Sequence, residues 1–255
     1  MKNVHRHLLS SLIVAFAVVL LIGSASPKKA IPKMSVIFDH APKGAAAPGS
    51  AGISIGLIKP YYAEKYKKAE NVDLFTRYRD GLAGDIQELL LAKGFTMKEP
   101  YDNLADMTYT DKKTTQLILD IRISPDIDTR SLTTVETGSL ASALLADSRK
   151  AYRFKGTVSF GGRIELIAYE PMTHERLWTK SAELPQQNNI EVQTVDAYYQ
   201  VTYEELLDDV GFYNPISQAM QKSYETVLTK MENYIDVEEF KALLPQVKEL
   251  KARKQ

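Results

Sequence analysis

Two strand-like runs on either side of a short turn constrain the fold of this chain more than any other feature of its sequence. Residues 163–170 (RIELIAYE) and 176–184 (RLWTKSAEL) are both rich in β-branched, aromatic and aliphatic side chains. The connecting residues 171–175 (PMTHE) begin with proline and end in polar residues, as is typical of a tight turn. The sequence therefore predicts an antiparallel hairpin that pairs 163–170 with 176–184.

Other segments also carry strand patterns. Apolar residues alternate with smaller or polar ones over 53–58 (ISIGLI) and over 117–123 (LILDIRI), which predicts two half-buried strands. The Ser/Thr-rich segment 129–139 is expected to form a loop or an edge strand. A pair of glycines, Gly161 and Gly162, predicts a bulge just before the hairpin.

A long helix is predicted between the two alternating runs. From 74 to 93 apolar residues recur every three or four positions, which is the period of a helix with one buried face. Gly94 stands where a left-handed residue usually ends a helix. We expect Asn71 or Asp73 to accept the free amide hydrogens of the first turn.

Two more helices are predicted at the C-terminal end. The first has Asn214 as its cap and Pro215 at its first position. The second begins at Asp236, with Glu239 at capping-box spacing. Together these elements predict an α+β fold with a largely antiparallel sheet, helices on one face of the sheet and long C-terminal helices.

Residues 1–25 have the pattern of a signal peptide. Lys2 and Arg6 precede an apolar run over 8–22, and the small residues Gly23 and Ala25 predict cleavage before Ser26. An uncleaved membrane anchor is the alternative, because two lysines follow this run directly. Either way, the chain is expected to be exported.

The remaining sequence divides into two parts. Residues 26–52 are rich in proline, alanine and glycine, which predicts a tether with a short strand at 34–38 (MSVIF). Residues 53–255 are predicted to form a single α+β domain. The chain carries 32 basic and 32 acidic residues, so its charge balance gives no case for binding nucleic acid.

The sequence predicts a protein that is not an enzyme. The chain has no cysteine, and outside the signal its only histidines are His40 and His174, which lie far apart in sequence. We therefore predict no catalytic residue, no metal ligand and no cofactor. A group of carboxylates at 204–209 (EELLDD) is the one enzymatic or calcium-binding alternative, and we expect it to face water.

The turn of the hairpin carries a resemblance to a known family. Residues Glu170, Pro171, Met172 and Glu175 match its Glu-Pro-Met and Glu. The chain resembles the neuraminyllactose-binding hemagglutinin family, outer-membrane lipoproteins also described as flagellar-sheath adhesins. Further similar stretches follow in the family's order: GLIKPYY at 56–62, QELLLAKGFTM at 87–97, SPDIDTR at 124–130 and VKELKARK at 247–254.

Two departures from the family concern its anchor and its ligand. Family signals end in Leu-Val-Gly-Cys, whereas here Ser24 stands in place of the lipidated cysteine. The family's segment proposed to recognise sialic acid is strongly basic, and in this chain it keeps a single cation. The resemblance then implies a reduced glycan site, with an ordinary polar loop as the alternative; its residues are Thr129, Arg130, Ser131, Thr133 and Thr134.

The resemblance implies an adhesin-like protein of the cell envelope, in the periplasm or on the outer membrane, that acts by binding. Its expected partners are sialylated glycoconjugates, other envelope proteins or a membrane surface. The alternative is an envelope scaffold or assembly protein that binds protein partners through its C-terminal helices.

Overall fold

The computed structural model describes residues 31–98, 100–137, 151–196, 198 and 200–254, so Ser24 and the predicted signal peptide lie outside the described residues. Residues Lys33–Gln255 form one compact unit. The described strands are β1 (Ser54–Leu57), β2 (Tyr61–Tyr62), β3 (Thr96–Met97), β4 (Leu117–Asp128), β5 (Leu132–Thr137), β6 (Ala151–Tyr169) and β7 (Arg176–Gln193). The helices are α1 (Asp73–Ala92), α2 (Tyr109–Thr114), α3 (Tyr203–Asp208), α4 (Val210–Tyr234) and α5 (Val237–Ala252), with 3₁₀ helices at Glu64–Asn71 and Leu104–Asp106.

Strand β6 is the centre of a seven-stranded sheet. It pairs antiparallel with β4, β5 and β7. Arg163 lies opposite Glu183 and Tyr169 opposite Arg176, which confirms the predicted hairpin. Both strands extend well beyond it, and the register shifts between Phe160 and Gly162 confirm the bulge. Among the described strands, β5 pairs with β6 alone, as expected of an edge strand.

The other half of the sheet is parallel, which the expectation of a largely antiparallel sheet did not include. Strand β1 pairs in parallel with both β3 and β4, and β2 pairs in parallel with β4. Helix α1 accounts for the pairing of β1 with β3, because it lies between these two strands in the chain. A helix returns the chain to the end of the sheet from which it came, so the next strand runs in the same direction.

The main hydrophobic core lies between one face of the sheet and the helices. Leu119 and Ile121 of β4 belong to the same buried cluster as Leu82 of α1, Val227 of α4 and Phe240 of α5. Burying a side chain of this size contributes roughly 1.5–3 kcal/mol. Residues of the opposite register in β4 point to the other face of the sheet, because successive side chains of a strand alternate.

Helix α1 forms over the predicted residues but is capped differently. Gly94 follows it with φ of 81°, as predicted for a terminating residue. The N-cap is Val72, without a side-chain cap, so the expectation for Asn71 or Asp73 is wrong. Asp73 lies inside the first turn, where its carboxylate accepts hydrogen bonds from the side chains of Arg77 (2.8 Å) and Tyr213 (3.0 Å).

Helix α4 begins earlier than the sequence indicates. Its N-cap is Asp209, and Pro215 lies inside the helix rather than at its first position. Asn214 was the expected cap, but its side-chain oxygen accepts a hydrogen bond from the Met34 amide at 2.7 Å. Helix α5 begins as predicted, because the Asp236 side chain accepts from the Glu239 amide at 2.8 Å.

The Asp209 carboxylate fastens the start of α4 to the end of the sheet. It is 5% exposed and accepts hydrogen bonds from the amides of Val195 (3.0 Å), Asp196 (3.1 Å) and Gly211 (2.8 Å) and from the Tyr198 hydroxyl (3.1 Å). Burial and this neighbouring carboxylate raise the pKa of Tyr198, so its hydroxyl stays protonated and donates. One buried side chain therefore joins the segment after β7 to the first turn of α4.

Residues 33–43, which we call the N-terminal strap, run along α4 in an extended conformation. The predicted strand at 34–38 does not form, because the strap is bound by side chains of a helix and not by another strand. Val36, Phe38 and His40 are buried, which a free tether would not show. The strap contacts advance in the same direction along both segments: Met34 amide to Asn214 (2.7 Å), Gln221 to Ile37 carbonyl (3.4 Å), His40 to Glu225 (2.9 Å) and Lys43 amide to Glu232 (2.8 Å).

Among the helices in the described part of the chain, none combines the length and the apolar character that a membrane span requires.

Replacing Asp209 with alanine is expected to destabilise the fold by roughly 3 kcal/mol. The substitution removes a helix cap and leaves several part-buried donors without this acceptor. Asp208→Ala is the matched control, since its half-exposed carboxylate pairs with Lys33 at the surface and should contribute less than about 1 kcal/mol. Urea denaturation followed by circular dichroism measures both, and equal stabilities of the two variants would contradict the role given to Asp209.

Candidate functional site

The predicted glycan segment forms an outward bulge of the sheet. Strands β4 and β5 both pair with the same side of β6, with Asp128 opposite Ser159 and Leu132 opposite Gly156. Three residues, 129–131, therefore span the distance that two residues cover on β6. Gly156 makes this close approach possible, because a Cβ atom there would lie 2.3 Å from the Ser131 carbonyl oxygen.

Within this bulge Arg130 is already paired. Its side chain is 89% exposed, and its guanidinium donates to both carboxylate oxygens of Asp128. This guanidinium and the Arg130 amide lower the pKa of Asp128 to about 2. At neutral pH Asp128 is therefore charged and occupies the fork that a sialic acid carboxylate would need.

The hydroxyl residues of the segment do not gather around Arg130. Thr133 and Thr134 are neighbours in β5, so their side chains point to opposite faces of the sheet. The Thr133 hydroxyl donates to the Lys155 carbonyl at 3.0 Å. Thr129 is half-buried and Ser131 is exposed, on either side of Arg130. The five predicted residues thus lie in one stretch, and none of them lines the clefts described below.

The turn that carries the family resemblance is built around a buried carboxylate. Glu170 is fully buried, and its Oε2 accepts from the amides of Met172 (2.9 Å) and Thr173 (2.6 Å). Its backbone pairs with Glu175, whose carbonyl accepts from the Glu170 amide at 2.9 Å. Glu170, Pro171, Met172 and Glu175 therefore shape the turn, which explains the residue types without assigning them a ligand.

The two histidines outside the predicted signal peptide, His40 and His174, lie apart from each other. Each makes contacts that hold the fold together. His40 is 2% exposed, with Nδ1 2.9 Å from Glu225 and Nε2 3.6 Å from Glu232. His174 lies in the hairpin turn at φ of 60°, where its amide donates to the Glu170 carbonyl.

The carboxylates at 204–209 have separate surroundings, and Asp209 departs from the expectation that they face water. Glu205 accepts from the amide and hydroxyl of Thr202, and these hydrogen bonds lower its pKa. Asp208 pairs with Lys33, and Asp209 is buried at the cap of α4. The four side chains therefore do not act together on one ligand.

A cleft of about 300 Å³ lies on the face of the sheet opposite the main core. Its floor is Ile118 and Asp120 of β4 with Tyr169 of β6, which the register places beside Ile118. Tyr61 of β2 and Leu104 stand at its walls. Ile118 also belongs to a small second hydrophobic cluster on this face, so the cleft has a firm apolar base.

Asp120 is the charged group of this cleft. Its Oδ2 accepts from the Tyr61 hydroxyl at 3.2 Å, while its buried Oδ1 has no hydrogen-bond partner among the described residues. Burial raises the pKa of Asp120 above its ordinary value. Burial is also the largest influence on Tyr61, whose pKa is raised, and Arg122 lies close enough to bond its hydroxyl.

A second cleft of about 430 Å³ continues on the other side of Tyr61. It shares Tyr61 and Asp102 with the first cleft and is more polar, with Glu70, Arg79 and Gln87 among its lining residues. The two clefts therefore adjoin at Tyr61 and Asp102, and together we call them the depression around Tyr61.

The sequence analysis missed this depression. The one available signal was in the alternation of β4, where Asp120 and Arg122 interrupt an apolar strand. The remaining residues come from segments around 58–61, 102–104 and 169, which only the fold brings together.

Comparison with known proteins gives a structural likeness only. No family model matches the chain, and no curated protein matches it in sequence. Among solved structures, a putative neuraminyllactose-binding hemagglutinin homolog from Helicobacter pylori matches 85% of this chain and 100% of its own, with 14% identity and a TM-score of 0.52. At this identity the match shows a shared fold.

Two further solved structures are more distant. A lipoprotein from Neisseria meningitidis matches 60% of this chain and 90% of its own at 10% identity, with a TM-score of 0.27. A protein from Xanthomonas campestris matches 85% of this chain and 99% of its own at 9% identity, with a TM-score of 0.31.

Replacing Arg130 with alanine is expected to raise the pKa of Asp128 from about 2 toward its ordinary value of 3.8. The rise should be partial, because the amide of residue 130 still donates to Asp128. Carboxyl-carbon NMR titration measures it, with Arg253→Ala as a control that removes an exposed arginine paired to Glu249. An ordinary Asp128 pKa in the unchanged protein would show that the Arg130 guanidinium is free.

Proposed function

We propose that this chain is an exported cell-envelope protein that acts by binding and does not catalyse a reaction. The observation that carries the proposal is the fold shared with the hemagglutinin homolog over 85% of this chain. The surroundings of the histidines support the non-catalytic part. His40 is buried between carboxylates, and His174 is held in a turn, so neither is placed to serve a substrate as a general base.

Sialylated glycoconjugates are the ligand that we propose for the Arg130 bulge. Arginine binds a carboxylate with two parallel hydrogen bonds, and Arg130 already makes such a contact with Asp128. A sialic acid carboxylate would therefore have to displace Asp128. The exposed position of the bulge is favourable for an extended glycan, whereas the competing carboxylate weakens the site.

The scaffold alternative has less support from the packing of the C-terminal helices. Phe240 of α5 lies against Phe95 and Trp178, with ring centroids 5.5 and 5.1 Å apart. Val247 and Leu250 are buried as well. These buried residues of α5 are thus used inside the protein, which leaves less of its apolar face for a partner.

Glycan arrays with sialylated and desialylated probes test the Arg130 bulge. Arg130→Ala should reduce sialic-acid-dependent binding about tenfold or more, because a hydrogen bond to a charged group contributes roughly 1.5–3 kcal/mol. Asp128→Asn should strengthen binding, since it removes the competing charge, and Arg253→Ala should leave it unchanged. Absence of any sialic-acid-dependent signal, together with a co-purifying envelope protein, would favour the scaffold.

The mature protein is expected to carry no lipid. Lipid transfer to a signal sequence needs a thiol, and Ser24 offers a hydroxyl of far higher pKa. Each buried methylene of an acyl chain contributes about 0.8 kcal/mol, so the loss of all chains removes the main membrane attachment.

Intact-mass measurement of the native protein tests this expectation. A mass equal to residues 26–255 is the expected result, and Ser24→Cys should restore a diacyl increment and membrane retention. A lipid increment on the unchanged chain would contradict the expectation, and an unprocessed mass would indicate an uncleaved anchor.

A further inference from the structure

We propose that the depression around Tyr61 binds a neutral oligosaccharide, with one pyranose ring seated between Tyr61 and Tyr169. The inference rests on the proposed binding function but places the ligand at a site separate from the Arg130 bulge.

The shape and lining of the first cleft suit a sugar ring. Its volume of about 300 Å³ is at the lower end of the range for small-molecule pockets. A pyranose has an apolar face of C–H groups and a rim of hydroxyls. Ile118, Leu104 and the two tyrosine rings offer apolar surface for the face, while Asp120 offers carboxylate oxygens for the rim.

Asp120 gives the cleft a specific polar anchor. A buried carboxylate oxygen without a hydrogen-bond partner is costly, and Asp120 Oδ1 is such an atom within the described residues. Among the described residues, the side-chain donor to this carboxylate is the Tyr61 hydroxyl, at a long distance of 3.2 Å. Asp120 lines the cleft, so in this proposal a sugar hydroxyl donates to its carboxylate.

The charges around the cleft favour a neutral ligand over an acidic one. Lys59 is bound to Asp102 at 2.6 Å, and Arg122 lies 3.7 Å from Glu165. These cations are therefore compensated, while Asp120 repels an anion. A sialic acid carboxylate is disfavoured here for the same reason.

The second cleft is the reason for proposing an oligosaccharide and not a single sugar. It adjoins the first at Tyr61 and is lined by amide and charged side chains such as Gln87 and Arg79. A glycan of two or more rings could cross the Tyr61 side chain and place hydroxyls among these groups. Tyr61 is then the residue on which binding depends most.

Saturation-transfer NMR with methyl β-galactoside and methyl N-acetyl-β-glucosaminide, followed by an array of neutral oligosaccharides, tests the proposal on the full chain. We expect saturation of ring protons by the unchanged protein and a loss of affinity of about tenfold in Tyr61→Ala. Asp120→Asn, which keeps the side-chain size, should also weaken binding. Tyr109→Ala is the control, because this tyrosine is 63% exposed and does not line the cleft.

Circular dichroism spectra identify any variant that fails to fold. If Tyr61→Ala fails to fold, the affinity of Asp120→Asn decides the outcome. The proposal is overturned if no neutral probe is saturated, or if folded Tyr61→Ala and Asp120→Asn bind as well as the unchanged protein. Sialylated probes in the same array separate the two sites. Sialic-acid binding that depends on Arg130, without neutral-sugar binding, would refute this site and leave the proposed function standing.

Discussion

The pairing of β6 with three other strands is the constraint on which the rest of the fold depends. Strand β6 has 19 residues and pairs with β4 and β5 on one side and with β7 on the other. This arrangement requires the backbones of the neighbouring strands to lie close to β6. Gly162 permits this at one point, with φ of 123° and a position where a Cβ atom would lie 2.2 Å from the Ser124 carbonyl oxygen. Gly156 permits it again beside the Arg130 bulge.

Elements whose causes are local were predictable from the sequence. The hairpin follows from two strand-like runs and the turn between them, and α1 follows from its apolar period and Gly94. The start of α4 was not predictable in this way. Asn214 and Pro215 have the local sequence pattern of a helix start. Asp209 is nevertheless the N-cap, because it also binds partners at 195–198, which come close only when β7 has folded against the sheet.

The candidate sites show the same division. Arg130 could be identified from the sequence, yet its pairing with Asp128 depends on the bulge that brings both groups together. The depression around Tyr61 could not be identified, since Ile118 meets Tyr169 only through the register of β4 and β6. When a sheet face is assembled from distant segments, no single segment has a sequence pattern that predicts it.

The direction of the N-terminal strap along α4 has a mechanical consequence. Its four contacts with the helix lie side by side, so a force directed along the helix axis would load them together and in shear. A force directed across the axis would instead break them one after another, beginning at Met34. The same set of hydrogen bonds therefore resists a force along the helix axis strongly. Under a force across the axis the bonds break in sequence, at a lower force.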